Sequence, residues 1–412
     1  MPRPNSHFSS LHTLSQPFRV TGEWPSDVSR RSHGSPPVAL DFASEDCLGL
    51  SGFSALLPVK GADANHHGPA QPDSAISPPG PDLTRVLEHR LARFVKLPVA
   101  TTFASGAVAM RFTLRGLIRQ GDRVIVDAGC HRAMFETFST TRAQLLRCPP
   151  GSVDAVERRL ARLSGQPRTG QIYIAVPAIA ELTSTMADLD VLAKLAAHYR
   201  AKLIVDVSHD LGAMAQGGRG VMEVQGCLGQ PDIVLGSLAP CFGAPGGFAA
   251  FRDPTLKERL RASPWPTAPL LPALAARILA AFDIIDSAEG CLRRSRLQGA
   301  SLRLRNHLMA DGFRVLGHPS GIVPVRLPPL TAVACGALIA SAGMVVPLLR
   351  APVVAGHAPR WLVRLNANHG PADIDDLAEL IREVSRTVDR TSDRTSPSPH
   401  PAQGRVEAMP QP

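Results

Sequence analysis

The chain has 412 residues, 44% of them hydrophobic, enough at this length for a substantial core divided over more than one lobe. Its net charge of +9 comes from 44 basic against 35 acidic residues, but the arginines are scattered and no basic run is interleaved with aromatics, which argues against nucleic-acid binding. No apolar secretory core lies near the start, and the apolar stretch from about Pro264 to Ile285 is broken by prolines and by Arg277, so no membrane span and a cytoplasmic location are expected.

In chain order, residues 1–35 read as a flexible segment of mixed polar and basic character. A loop of Pro78, Pro79, Gly80 and Pro81 leads to Asp82, a candidate N-cap. Leu83, Val86, Leu87, Leu91 and Phe94 then recur at helical spacing and predict an amphipathic helix. Four short apolar or β-branched runs follow: Arg123 to Val126, Gln171 to Val176, Leu203 to Val205, and Ile233 to Leu235. Between them lie helical patterns, first Val153, Val156, Leu160 and Leu163, then Leu192, Leu195, Ala196 and Tyr199. This alternation predicts a parallel sheet covered on both faces, in a large α/β domain over 36–299 that includes the N-terminal arm. From 300 to 388, short strands and a closing helix with Ile374, Leu377, Ile381 and Val384 on one face predict a smaller C-terminal α+β lobe. The Pro- and Ser-rich tail, 389–412, is expected to be disordered.

Ligands of such sheets sit beyond the carboxyl ends of the strands, which singles out Asp127, Asp206 and Ser237. Asp206 closes an apolar run and His209 follows three residues later. A carboxylate so placed either holds a protonated ring nitrogen, favoured by the opposite charge, or simply caps a turn. From Asp232 a strand runs through Gly236 and Ser237 into a glycine-rich turn that ends at Gly246 and Gly247. The N–H groups freed in such a turn, with the Ser237 hydroxyl, can cradle a phosphate. The seven cysteines, at 47, 130, 148, 227, 241, 291 and 335, are odd in number and contain no Cys-x-x-Cys pair. They argue against a disulfide framework and a zinc site; reduced thiols and no metal are expected.

The Asp206-Val207-Ser208-His209 segment, Gly217-Gly218-Arg219-Gly220 and the glycine-rich turn together resemble the core of the α-oxoamine synthases, in particular the 2-amino-3-ketobutyrate CoA ligases and 8-amino-7-oxononanoate synthases. Leu40 to Leu50 resembles that family's opening motif of aspartate, phenylalanine and Asn-Asp-Tyr-Leu-Gly-Leu. Ser105-Gly106 resembles its phosphate-contacting pair, and Arg360 to His369 its Arg-x-Arg strand and Ala-Ala-His turn. The resemblance implies a fold-type-I, pyridoxal-phosphate-dependent transferase fold. By the same resemblance, His131 would stack on the pyridine ring, Asp206 would pair with its nitrogen and His209 would reach its phenolic oxygen. Ser105, Gly106 and Ser237 would contact the phosphate. For each, the competing reading is a relic that packs but binds nothing.

The pattern breaks at the nucleophile. The register set by Gly236 and Gly246-Gly247 puts Pro240 where the family carries its Schiff-base lysine, and proline has no amine. The chain has only five lysines, at 60, 96, 194, 202 and 257, and neither Lys202 nor Lys257 is a ready substitute by position. Glu45 replaces the asparagine that helps hold the substrate carboxylate, which a carboxylate would repel. The second arginine of Arg-x-Arg falls on Leu362, although Arg360 and Arg364 flank it on the same strand face.

Three functions are compatible with this pattern. One is a lysine-lacking subunit or pseudoenzyme that supports an acyl-CoA or acyl-thioester:amino acid C-acyltransferase, as homodimer or as heterodimer with a lysine-containing relative. Another is an active acyltransferase or noncovalent pyridoxal phosphate enzyme in a biosynthetic pathway, with His131, His209 and Cys241 as candidate catalytic residues. For Cys241 the alternative is a buried, inert thiol. The third is a ligand-binding sensor without turnover.

Overall fold

The computed structural model describes residues 40–52, 82–167, 170–262, 269–328, 332–354 and 358–395. Helix α1 (Leu83–Phe94) forms after Asp82, whose carboxylate accepts the N–H of Arg85 at 3.1 Å, and it turns Leu87, Leu91 and Phe94 inward. The arm before it supplies strand β1 (Leu40–Asp41). The large lobe is built on β2 (Val99–Phe103), β3 (Arg123–Asp127), β4 (Gln144–Cys148), β5 (Ile172–Pro177), β6 (Lys202–Asp206), β7 (Ile233–Ser237) and β8 (Gly247–Phe251). They form one sheet in the order β2-β8-β7-β6-β5-β3-β4.

Alternating side chains serve opposite faces of this sheet. Val124, Val126, Tyr173, Ala175 and Ile204 pack on one side with α2 (Gly106–Leu117) and α3 (Arg132–Thr140). Ile125, Ile174, Leu203 and Val205 pack on the other with α1, α4 (Val153–Ser164) and α5 (Leu189–His198). Both faces are therefore dry, which explains why β5 is buried along its whole length. Each fully buried Leu, Ile or Val contributes roughly 1.5–3 kcal/mol relative to exposure.

The sheet is not wholly parallel: β8 runs antiparallel to both β7 and β2. The chain returns from β7 through α7 (Ala239–Phe242), a connection shorter than the dozen or so residues that a parallel crossover needs. A short helix, α6 (Val221–Val224), precedes β7, and α8 (Pro254–Arg261) and α9 (Pro272–Ile285) follow β8.

Helix α10 (Ala288–Ala310) leads into the small lobe. There β9 (Ile322–Arg326), β11 (Leu348–Leu349) and β12 (Arg360–Arg364) make an antiparallel sheet in the order β11-β12-β9, beside α11 (Ala332–Ser341) and α12 (Pro371–Thr395). Ile374, Leu377, Ile381 and Val384 on α12 are fully buried. This helix continues past 388, where the sequence reading closed the lobe; residues 1–35 and 396–412 lie outside the described residues. Strand β1 pairs in parallel with β10 (Met344–Val345), so the arm is hydrogen-bonded into the small lobe rather than the large sheet. Among the described residues no helix is long and apolar enough to cross a membrane.

Candidate functional site at the carboxyl ends of the strands

Helix α2 begins at Ser105, which is extended and caps it by accepting the N–H of Val108 at 3.3 Å. The first-turn N–H groups that follow have no intrahelical acceptor and carry the positive end of the helix dipole. Two glycines let the start of α2 pack directly on the ends of β7 and β8. A Cβ on Gly106 would stand 2.7 Å from the Ser237 Cβ, and one on Gly247 would collide with the Ser105 carbonyl. Ser105, Gly106 and Ser237 are thus brought together at the start of a helix, a place suited to an anion.

Asp206 ends β6 and is 4% exposed. Its Oδ1 accepts the N–H of Ser208 at 3.0 Å and the Ser208 hydroxyl at 2.6 Å, and the Ser208 Oγ in turn accepts the N–H of Ser237 at 2.9 Å. One hydrogen-bonded chain therefore joins the ring-nitrogen candidate to the phosphate cradle. Ser208, its middle link, was quoted in the sequence motif but given no role.

His131 is exposed at the N-cap of α3, where its Nδ1 accepts the N–H of Ala133 at 3.2 Å. The Nε2 of His209 lies 3.9 Å from Glu181 Oε2. Glu181, which the sequence reading did not single out, also pairs with Arg364 Nη2, while Arg364 Nη1 reaches Glu45 at 3.2 Å. Burial pushes the Glu181 carboxyl up, but His209, Arg364 and His131 outweigh it and hold it below its usual range. Arg360 donates to the carbonyl of Leu182 at 2.8 Å, and Leu362 between them is buried. Arg364 does reach the site, as a slipped register would allow, but it arrives already shared between two carboxylates. Asp127 serves the turns beside it: its carboxylate accepts the N–H groups of Gly129 and Gly151 at 2.6 and 2.7 Å. Burial raises that carboxyl despite these bonds.

Pro240 is buried in the first turn of α7, where a residue without an N–H costs no helical bond. No lysine among the described residues replaces it. Lys202 and Lys257 lie toward the opposite, amino-terminal ends of the strands, bound to Asp232 at 2.9 Å and to Glu88 at 2.7 Å. Lys194 pairs with Asp190 on the surface, and Lys96 is exposed just after α1. Lys60 lies outside the described residues.

Cys241 is 1% exposed, and its Sγ is 2.6 Å from that of Cys47. The contact with Cys47 and burial push its thiol well above the usual range. Of the two readings of Cys241, burial therefore favours a thiol out of reach of substrate over an acyl-accepting nucleophile, which needs access.

The residues fit the noncovalent half of a pyridoxal phosphate site: Asp206 for the ring nitrogen, and Ser105, Gly106 and Ser237 for the phosphate. They do not supply the amine that anchors it.

Residues 39–381 match the family model of aminotransferase class I and II. The 8-amino-7-oxononanoate synthase of Herminiimonas arsenicoxydans is 30% identical over 345 residues, covering 82% of this chain and 88% of its own length. That of Aromatoleum aromaticum is 30% identical over 350 residues, with coverage of 84% and 89%. Among solved structures, the Sphingomonas wittichii serine palmitoyltransferase shares the fold, with a TM-score of 0.78 at 21% identity over 85% of this chain and 88% of that one. With the sheet, the cradle and the Asp206 network in the family's order along the sequence, the chain belongs to the aminotransferase class I and II family, in its α-oxoamine synthase group.

Proposed function

We propose that this chain is a lysine-lacking subunit that supports an acyl-thioester:amino acid C-acyltransferase, completing a dimer with a lysine-bearing relative rather than carrying out the condensation alone. The observation that carries this reading is Pro240, buried in the first turn of α7 with no described lysine at the same end of the sheet. Pyridoxal phosphate, when bound, supplies a ring that withdraws electrons from a substrate carbon. In this chain Asp206 would orient that ring, and the helix start at Ser105 and Gly106 would hold the phosphate without a covalent link. Arg364, which could meet the amino-acid carboxylate, is already shared between Glu181 and Glu45. Loss of the amine and of the carboxylate partner in one site supports a supporting role over independent turnover.

A second reading, turnover with noncovalently held cofactor, is favoured by His209, whose ring stands against Glu181 in the site. The two are separated by purifying the chain alone and with an α-oxoamine synthase relative encoded beside it. The visible spectrum is recorded before and after borohydride, and thioester consumption is assayed. The subunit reading expects activity only in the pair and no phosphopyridoxyl group on this chain. Turnover by the chain alone would overturn it, and a phosphopyridoxyl group mapped to one of its lysines would overturn the noncovalent site as well.

A further inference from the structure

We propose that Cys47 and Cys241 form a reversible disulfide that staples the N-terminal arm to helix α7. Their Sγ atoms are 2.6 Å apart although the residues are 194 positions apart in sequence. That gap lies between the roughly 2.05 Å of a disulfide bond and the wider separation of two unbonded sulfurs. The backbones on both sides are already pinned. The Cys47 N–H donates to the Pro240 carbonyl at 2.8 Å, and the Cys47 carbonyl accepts the N–H of Ala367 at 2.9 Å. The next carbonyl, of Leu48, accepts from Arg293 at 2.8 Å. On the other side, Cys241 packs so closely on Gly212 that a Cβ there would meet the Cys241 Cβ at 2.7 Å. The sulfurs have only about half an ångström to close, from 2.6 Å to roughly 2.05 Å, between segments that are already held. A metal is the lesser alternative, because no group of three or more His, Cys, Asp or Glu side chains suited to an ion is present among the described residues.

The two thiols differ in access, which sets the order of events. Cys47 is partly exposed and Cys241 is buried. The oxidant is a low-molecular-weight disulfide of the glutathione class. The Cys47 thiolate attacks one of its sulfurs, breaking that S–S bond and forming a mixed disulfide; the expelled thiolate takes up the proton Cys47 lost. The Cys241 sulfur then attacks the Cys47 sulfur, expelling the second small thiolate, which takes the Cys241 proton. Two protein thiols are oxidised and one external disulfide is reduced to two thiols. Excess small thiol reverses both steps. Such a bond is a sensing device rather than a structural one in a reducing compartment.

The test uses the full-length, reduced protein incubated with glutathione disulfide, then alkylated and mapped by mass spectrometry. A Cys47–Cys241 crosslinked peptide with loss of two hydrogens is expected, reversed by glutathione. It should be accompanied by slower hydrogen exchange over residues 40–52 and a rise in Tm of about 5 °C. Cys241→Ser should stop at a glutathione adduct on Cys47, and Cys47→Ser should give no crosslink; both keep the side-chain size and so report on folding through unchanged spectra. A wild-type chain that stops at the Cys47 adduct, or that forms this crosslink only after denaturation, overturns the proposal. The outcome does not depend on whether cofactor binds.

Discussion

The backbone N–H of Cys47 donates to the carbonyl of Pro240 at 2.8 Å, so the arm docks on the residue that we propose stands in the family's lysine position. Proline supplies the acceptor that any residue would, and its missing donor is not needed in the first turn of a helix. Nothing in the backbone therefore prevents an amine from being returned to this place. Pro240→Lys is expected to give a borohydride-stable phosphopyridoxyl adduct at that position, read by intact mass and peptide mapping. The same adduct on the unaltered chain would contradict the reading of the site.

Asp206 and Ser237 are joined through Ser208, so removing the carboxylate should loosen both the ring and the phosphate contacts. Asp206→Ala is expected to weaken pyridoxal phosphate binding by about tenfold or more, the equivalent of roughly 1–3 kcal/mol for charge-assisted hydrogen bonds. Equilibrium dialysis against the cofactor measures it. An unchanged affinity would mean that this strand end only caps its turn.

Glu181 and Arg364 make a partly buried pair whose sign can be read from pH. The folded Glu181 carboxyl is held below its ordinary value of 4.5, by His209, Arg364 and His131 against burial. Its stabilisation is therefore present above that ordinary value and is lost as pH falls through the lower, folded one. Arg364→Leu should cost about 1–3 kcal/mol at neutral pH, because Glu181 keeps its burial and loses its guanidinium. The difference between variant and wild type, followed by urea unfolding, should shrink on strong acidification. A difference that is flat with pH would remove Glu181 from the account.

Asp210 behaves in the opposite sense. It is fully buried; Oδ2 accepts the N–H of Val221 at 2.7 Å, while Oδ1 has no partner among the described contacts. Burial raises the carboxyl to about 8, with Asp206 adding to the rise and the Val221 N–H opposing it. The folded state thus binds the extra proton between the ordinary value of 3.8 and about 8, so stability should fall as pH rises through that window and level off above it. Asp210→Asn keeps the acceptor for Val221 and should abolish this slope. Thermal unfolding from pH 5 to pH 9 tests it, and an unaltered slope in the variant would assign the effect elsewhere.

How far the sequence could be read follows from what each strand is made of. β3, β5, β6 and β7 are apolar or β-branched runs and declare themselves, as does the capped helix at Asp82. Three of the five residues of β2 are threonine or alanine, β8 is Gly-Phe-Ala-Ala-Phe, and β4 is an edge strand with Gln144 and Arg147 exposed. Their strand character comes from neighbours across the sheet rather than from their own residues. The antiparallel course of β8 was hidden for the same reason. In the candidate site, Asp206 and Ser237 close strands that the sequence marks, whereas Ser105 follows the unmarked β2 and was singled out by the family resemblance alone. Glu181 was not, because it lies in an irregular segment after β5. The one available signal was a charged residue soon after Ala178, Ile179 and Ala180 at the carboxyl end of a buried strand. The Cys47–Cys241 contact had no local signal at all.

The arm also sets a timetable for synthesis. Leu40 pairs with Met344, and the Phe42 carbonyl accepts the N–H of Arg364. These partners emerge about 300 residues later (344 − 40 = 304), or about 15–60 s at roughly 5–20 residues per second. Until then Phe42, Leu48 and Leu50, all fully buried in the finished protein, have only the part of their docking site that the large lobe supplies around Pro240 and Gly243. The arm therefore completes its docking only when the last strands are made, and its apolar residues stay partly uncovered for that interval.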